Sequence, residues 1–193
     1  MALTIKDYDL REREALKHLS NRVIEAFQPV SFRATNYPRQ VYDETELIRY
    51  VDTMHEDEAF KYSRAFCSYS LEEAKLISVV CDQVVKMTSE EFGSSIRPRM
   101  SPVAAIDLFR GIHSFGSLAE KEVLSVFEIG PGSGYLGAFL ISIAYRYAAM
   151  DNAQAFYLWQ SRLYEEFAPD EFTEMACGDA LSMDAKKRVA HVP

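Results

Sequence analysis

Glu128-Ile-Gly130-Pro-Gly132-Ser-Gly134 stands between an apolar run, residues 123–129, and a stretch of small and apolar residues from Gly134 to Ala144. The run is short, rich in β-formers and closed by glycines, the pattern of a buried parallel strand feeding a tight turn. The stretch after it predicts a helix packed closely on a sheet. Glycines permit positive φ and let a ligand approach the backbone, and a helix starting directly after them offers unpaired N–H groups and the positive end of its dipole. In a doubly wound sheet that crevice is where ligands bind. Downstream, residues 145–150 read as a second strand ending on Asp151. From Asn152, a good N-cap, a helix carries Phe156, Trp159, Leu163 and Phe167 on one face until Pro169 stops it. Residues 172–176 form a third strand, ending at Cys177-Gly178-Asp179, and a fourth begins near Arg188. Strand and helix alternate without an internal repeat, which predicts a parallel sheet with right-handed crossovers.

Upstream, the chain reads as helices separated by proline-containing loops. Leu16, Leu19, Val23 and Phe27 share a helical face that Pro29 ends. A second helix spans residues 43–54. A third starts at Ser70, where Ser70 and Glu73 form a capping box, buries Ala74, Ile77, Cys81, Val84 and Met87, and stops at Gly93. Ser101-Pro102 opens a fourth, with Val103, Ile106 and Phe109 toward the core. The expected fold is therefore α/β: a Rossmann-like, doubly wound but incomplete parallel sheet over residues 119–193, preceded by an all-helical region over residues 1–118.

Composition narrows the partners. The 193 residues are 48% hydrophobic and 26% charged, which suits a globular chain, and the net charge of −8 repels nucleic acid over most of the surface. A neutral or cationic small molecule fits better. Cys67, Cys81 and Cys177 are odd in number and form no CxxC pair, so they read as reduced thiols without a metal. No secretion signal and no apolar run of about 20 residues is present, so a cytoplasmic location without a membrane partner is expected.

The glycine loop has acidic company. Asp151 follows Gly134 by 17 residues, near the ~20-residue interval at which nucleotide-binding folds place an acid on a ribose. Together, the Glu128-to-Gly134 loop, Asp151 and Gly178-Asp179-Ala180 resemble the motifs of class I S-adenosylmethionine-dependent methyltransferases. The resemblance implies that Gly130, Pro131, Gly132 and Gly134 line the methionine end of S-adenosyl-L-methionine, and that Glu128 holds its ammonium. It further implies that Asp151 takes the ribose hydroxyls and that Asp179 and the Ala180 amide meet the adenine. Residues 154–160 and the closing His191-Val-Pro193 are similar to bacterial sugar O-methyltransferases, implying a small-molecule or sugar hydroxyl as acceptor.

Two other readings use the same residues. Gly132-Ser-Gly134-Tyr-Leu-Gly137 satisfies G-x-G-x-x-G, the fingerprint of an NAD(P)-dependent oxidoreductase. Register opposes it, because that fingerprint wants the strand to run straight into its first glycine, and here Gly130-Pro131 intervenes. A noncatalytic cofactor-binding fragment is the third reading. A methyltransferase sheet of this class has seven strands, so the chain is expected to stop short of a whole domain, with its fourth strand beside its first. His113 is a conceivable base, though a histidine after an amphipathic helix is more often structural, and Arg97 and Arg99 could meet an anionic acceptor. No residue is assigned a catalytic role, and Trp159 is expected to be core.

Overall fold

Thr4 and Asp7 open the first helix by capping each other: the Thr4 amide donates to Asp7 Oδ2 at 3.2 Å and the Asp7 amide to Thr4 Oγ1 at 3.1 Å. The computed structural model describes residues 3–22, 40–55, 69–98, 101–119, 124–177 and 187–192. Helix α1 runs Ile5–Leu16, earlier than expected, because this Thr-x-x-Asp box sets its start. Leu19 falls in the turn after it and is exposed, while Val23, Phe27 and Pro29 lie outside the described residues.

The other helices of the front region follow their caps. Helix α2, Glu44–His55, begins where Asp43 Oδ1 accepts the Glu46 amide at 2.8 Å. Helix α3, Leu71–Phe92, has both halves of the Ser70–Glu73 box and ends on Gly93 in the left-handed region at φ 64°. Its buried face is Val80, Val84, Met87 and Thr88, with Ile77 and Cys81 half-buried and Ala74 exposed. The first turn meets its neighbour through a two-pronged ion pair, Arg110 to Glu73 at 2.5 and 2.7 Å, which holds the Glu73 carboxyl at about 2 against its slight burial. Burial pushes the Cys81 thiol up to about 11, so it stays protonated and unreactive. Helix α4, Ser101–Leu118, buries Ile106 and Phe109 as expected.

Alternation then begins: β1 Ser125–Ile129, α5 Tyr135–Ser142, β2 Arg146–Met150, α6 Gln154–Phe167, β3 Phe172–Glu174, a single 3-10 turn at Met175–Cys177, and β4 Val189–Val192. All four strands are parallel, in the order β1-β2-β4-β3. The expectation that the fourth strand lies beside the first is therefore wrong: β4 pairs with β2 and β3. Burial explains the order. Val189, Ala190 and His191 are buried, whereas all three residues of β3 remain half-exposed, so the more apolar strand takes the inner place and β3 the edge.

The chain steps from β1 to β2 and on to β3 in one direction before turning back to insert β4, and right-handed crossovers for the first two steps place α5 and α6 on the same face. Gly137 of α5 and Tyr164 of α6 both lie against Tyr147, and Tyr157 of α6 stacks on His191. The expected doubly wound arrangement, with helices on both faces, is not found among the described residues. On the opposite face Phe127 and Ile129 of β1 are exposed.

One apolar cluster joins the front helices to the sheet, running from Leu3, Leu47 and Val84 through Ile106 to Phe139, Leu140, Trp159 and Leu163. Helix α6 is buried from Gln154 to Tyr164 except at Phe156, a wider buried surface than the single face expected. It sits inside the molecule, as an all-round buried helix must. Arg162 ties it to α2 and α3 through Glu44 and Glu91, each at 2.9 Å. No described helix is long and apolar enough to cross a membrane, and no described cluster of His, Cys, Asp or Glu could hold a metal.

Candidate functional site

Strand β1 ends at Ile129, and the Gly130 amide still bonds the Met150 carbonyl at 2.9 Å, so the chain leaves the ladder only at Pro131. The Gly134 amide donates back to the Pro131 carbonyl at 3.0 Å, closing a four-residue turn. Gly130, Gly132 and Gly134 have φ of 69°, 56° and 75°, values that strain any side-chain-bearing residue. A Cβ on Gly130 or Gly132 would meet nothing within 4 Å, so the space above the loop is open. Gly134 is different: it is buried at the start of α5, and a Cβ there would lie 3.0 Å from Leu163 and 3.1 Å from the Tyr164 hydroxyl. No side chain caps α5, so its first N–H groups have no side-chain acceptor at the cap.

Helix α6 sets the loop's orientation. Trp159 Nε1 donates to the Ser133 carbonyl at 2.9 Å, and Gln160 Nε2 donates to the Gly132 carbonyl at 2.7 Å. These two bonds fix the loop's carbonyls against α6, while the Gly130, Gly132 and Gly134 amides are bonded to Met150, Asp151 and Pro131. Trp159 is fully buried, as expected for a core residue, but its polar edge also holds this loop.

Glu128 is half-buried on β1, where Oε2 accepts the Tyr147 hydroxyl at 2.5 Å. Burial raises its carboxyl, the bond from Tyr147 opposes that, and the charge of Asp151 adds to it, leaving Glu128 above its ordinary value. Tyr147 in turn bonds Tyr164 at 3.1 Å, and burial pushes both phenols well above their usual range, so both stay neutral.

Asp151 ends β2 and is buried. Its Oδ1 accepts the Ala153 amide at 3.0 Å, and its Oδ2 accepts Gln160 Nε2 at 2.9 Å and the Gly132 amide at a long 3.4 Å. Three of its roughly four acceptor positions are thus taken, leaving room for one further donor rather than two. Asn152 is exposed and is not the cap of α6; the Asp151 carboxylate braces the turn that precedes it. Asp151→Ala should therefore lower stability by roughly 1–2 kcal/mol, since it strips partners from a buried amide and from Gln160. A chemical-denaturation midpoint unchanged from wild type would contradict this bracing role.

The structure thus brings Glu128, Gly130, Pro131, Gly132, Gly134 and Asp151 to one end of the sheet, and Asp179 and Ala180 lie outside the described residues. His113 is elsewhere. It stacks on Phe109 and bonds the Tyr145 hydroxyl at 3.0 Å, lining a cavity of about 620 Å3 between α3 and α4. Tyr145 precedes β2, so this cavity lies where the strands begin, about 15 Å of strand from the loop. His113 is not poised to act there. Arg97 is exposed, and Arg99 lies outside the described residues.

Several residues escaped the sequence reading: Tyr147, Gln160, Tyr164, Glu174 and His191. Alternation along β2 puts Tyr147 and Ala149 on one face, which could have marked Tyr147. Comparison of the chain with protein-family models, with curated proteins and with solved structures finds no match.

Proposed function

We propose that this chain binds S-adenosyl-L-methionine at the ends of β1 and β2 and serves methyl transfer, in the manner of class I methyltransferases, to a hydroxyl of a small molecule such as a sugar. The observation that carries the reading is the pair of acids beside the loop. Glu128 and Asp151 end adjacent parallel strands, and neither has an ion-pair partner among the described residues. Two uncompensated carboxylates favour a ligand with an ammonium and a sulfonium, and they repel a diphosphate at the same helix start. The open space above Gly130 and Gly132 and the uncapped α5 suit the backbone approach of the ligand's carboxylate. The loop's register also disfavours the dinucleotide alternative, since Gly130 rather than Gly132 follows the strand directly.

When bound, S-adenosylmethionine supplies an electrophilic methyl group, and the chain supplies placement and field. Glu128 offers a carboxylate to the ammonium, and Asp151 one acceptor position to the ribose. Trp159 and Gln160 hold the loop's carbonyls and so keep its shape. Incubation with methyl-labelled S-adenosylmethionine and a panel of small hydroxylated acceptors tests the reading: label should pass to a hydroxyl, and label that never leaves the donor in any reaction would oppose a transferase.

A pH dependence follows from Glu128. Its ionised form holds the ammonium, and its carboxyl is raised by burial, so cofactor affinity should begin to fall on acidification at a higher pH than an ordinary glutamate would dictate. Glu128→Gln should weaken binding about tenfold at neutral pH, the difference between a charged and a neutral acceptor, and abolish that acid limb. An acid limb that persists in the variant would assign it to another group.

A further inference from the structure

Glu174, His191, Gln160 and Asp151 form an unbroken chain of hydrogen bonds beneath the glycine loop. His191 is wholly buried on β4, directly opposite Glu174 of β3 and Ala149 of β2 in register. Its Nδ1 lies 3.1 Å from Glu174 Oε2 and its Nε2 lies 3.1 Å from Gln160 Oε1. Gln160, also wholly buried, spends its Nε2 on two acceptors, the Gly132 carbonyl at 2.7 Å and Asp151 Oδ2 at 2.9 Å.

The proton positions follow from which atoms can donate. Turning the Gln160 amide over would set its oxygen against a carbonyl and a carboxylate, so its nitrogen must face them and its oxygen can only accept. His191 Nε2 must therefore carry a proton. On the other side, Glu174 is a carboxylate already accepting the Tyr157 hydroxyl at 2.5 Å and the Ala176 amide at 3.0 Å, both on Oε1. Its burial acts to raise it, but the bond and charge of His191 and the Tyr157 hydroxyl outweigh that and leave it lowered. Its Oε2 faces Nδ1, so the ring is held at both nitrogens.

We propose that His191 and Gln160 are positioning residues for the glycine loop: His191, held by Glu174 at one ring nitrogen, donates from the other to the Gln160 oxygen and so fixes the amide, which in turn holds the Gly132 carbonyl and the Asp151 carboxylate. The groups facing the ring are Glu174 from β3 and Tyr157, Gln160 and Tyr164 from α6, with Asp151 beyond Gln160. Without the ring, the Gln160 oxygen would lose its donor and the amide could turn, releasing the Gly132 carbonyl and the Asp151 carboxylate. That the loop is a ligand cradle rests on the function proposed above; the lock itself does not.

The test is nuclear magnetic resonance of the 15N-labelled chain without any cofactor. His191 Nε2 should carry a slowly exchanging proton, as its bond to the buried Gln160 oxygen requires. His191→Phe should shift the amide signals of Gly130, Gly132 and Gly134, and Gln160→Leu should shift the same three. The double variant should move them no further than Gln160→Leu alone. A bare Nε2, or loop amides that ignore both changes, would overturn the proposal. Should a variant fail to fold, the Nε2 proton of the wild-type chain alone decides. Cofactor binding measured separately distinguishes failure of the lock from failure of the methyltransferase reading.

Discussion

Trp159→Ala is expected to lower stability by roughly 3–5 kcal/mol, the range for deleting a buried large aromatic. The indole is fully buried, meets His55 edge-on with ring centroids 5.4 Å apart, and donates to the Ser133 carbonyl. His55 itself is fixed between the Val51 carbonyl and the Tyr135 hydroxyl, each at 2.6 Å, so little around the site can collapse into the void. The penalty combines lost transfer energy, an unfilled cavity and a carbonyl without its donor. For a chain of this size it corresponds to a melting temperature lower by roughly 6–20 °C. Trp159→Phe separates the parts: it keeps most of the apolar fill, loses the N–H, and should fall between wild type and alanine. A thermal melt of Trp159→Ala within a degree of wild type would mean that the helix packs less tightly than described.

Gly137→Val should cost about 3 kcal/mol or more by overpacking. A Cβ at Gly137 would lie 2.7 Å from ring atoms of both Tyr147 and Tyr164. Neither ring can swing aside cheaply, since the two hydroxyls bond each other and Tyr147 also bonds Glu128. The clash therefore reaches the site: as the Tyr147 ring is displaced, Glu128 loses its donor, and cofactor affinity should fall along with stability. Denaturation and binding measured on the same variant check the coupling. A variant that melts early yet binds with wild-type affinity would show that the tyrosine pair supports the fold without orienting Glu128.

These two positions also show what was legible in the sequence. The Ser70–Glu73 box, the Gly93 stop, the strand before the glycine loop and the helix after it were readable because each is specified by residues a few positions apart. The Thr4–Asp7 box is equally local, but the apolar periodicity further along the chain masks it. Strand order was not readable. Whether β4 lies beside β1 or β2 depends on which strand best tolerates full burial, and the exposed face of β1 is visible only once that order is known. Of the site, the acids and glycines at successive strand ends stood out. The residues that orient them did not, because Gln160 is one polar residue within an otherwise ordinary helix and His191 meets Glu174 only across a parallel pairing. Asp151 shows the limit most clearly: its position as a strand-end acid was readable, whereas its commitment to Ala153, Gln160 and Gly132 was not.

The most direct test of the central claim is isothermal titration calorimetry of the wild-type chain at neutral pH with S-adenosylmethionine, its demethylated product and NAD in separate experiments. Saturable binding of either sulfur compound, with no heat from NAD, is the predicted result. Binding of NAD with no binding of S-adenosylmethionine or its product would contradict the account.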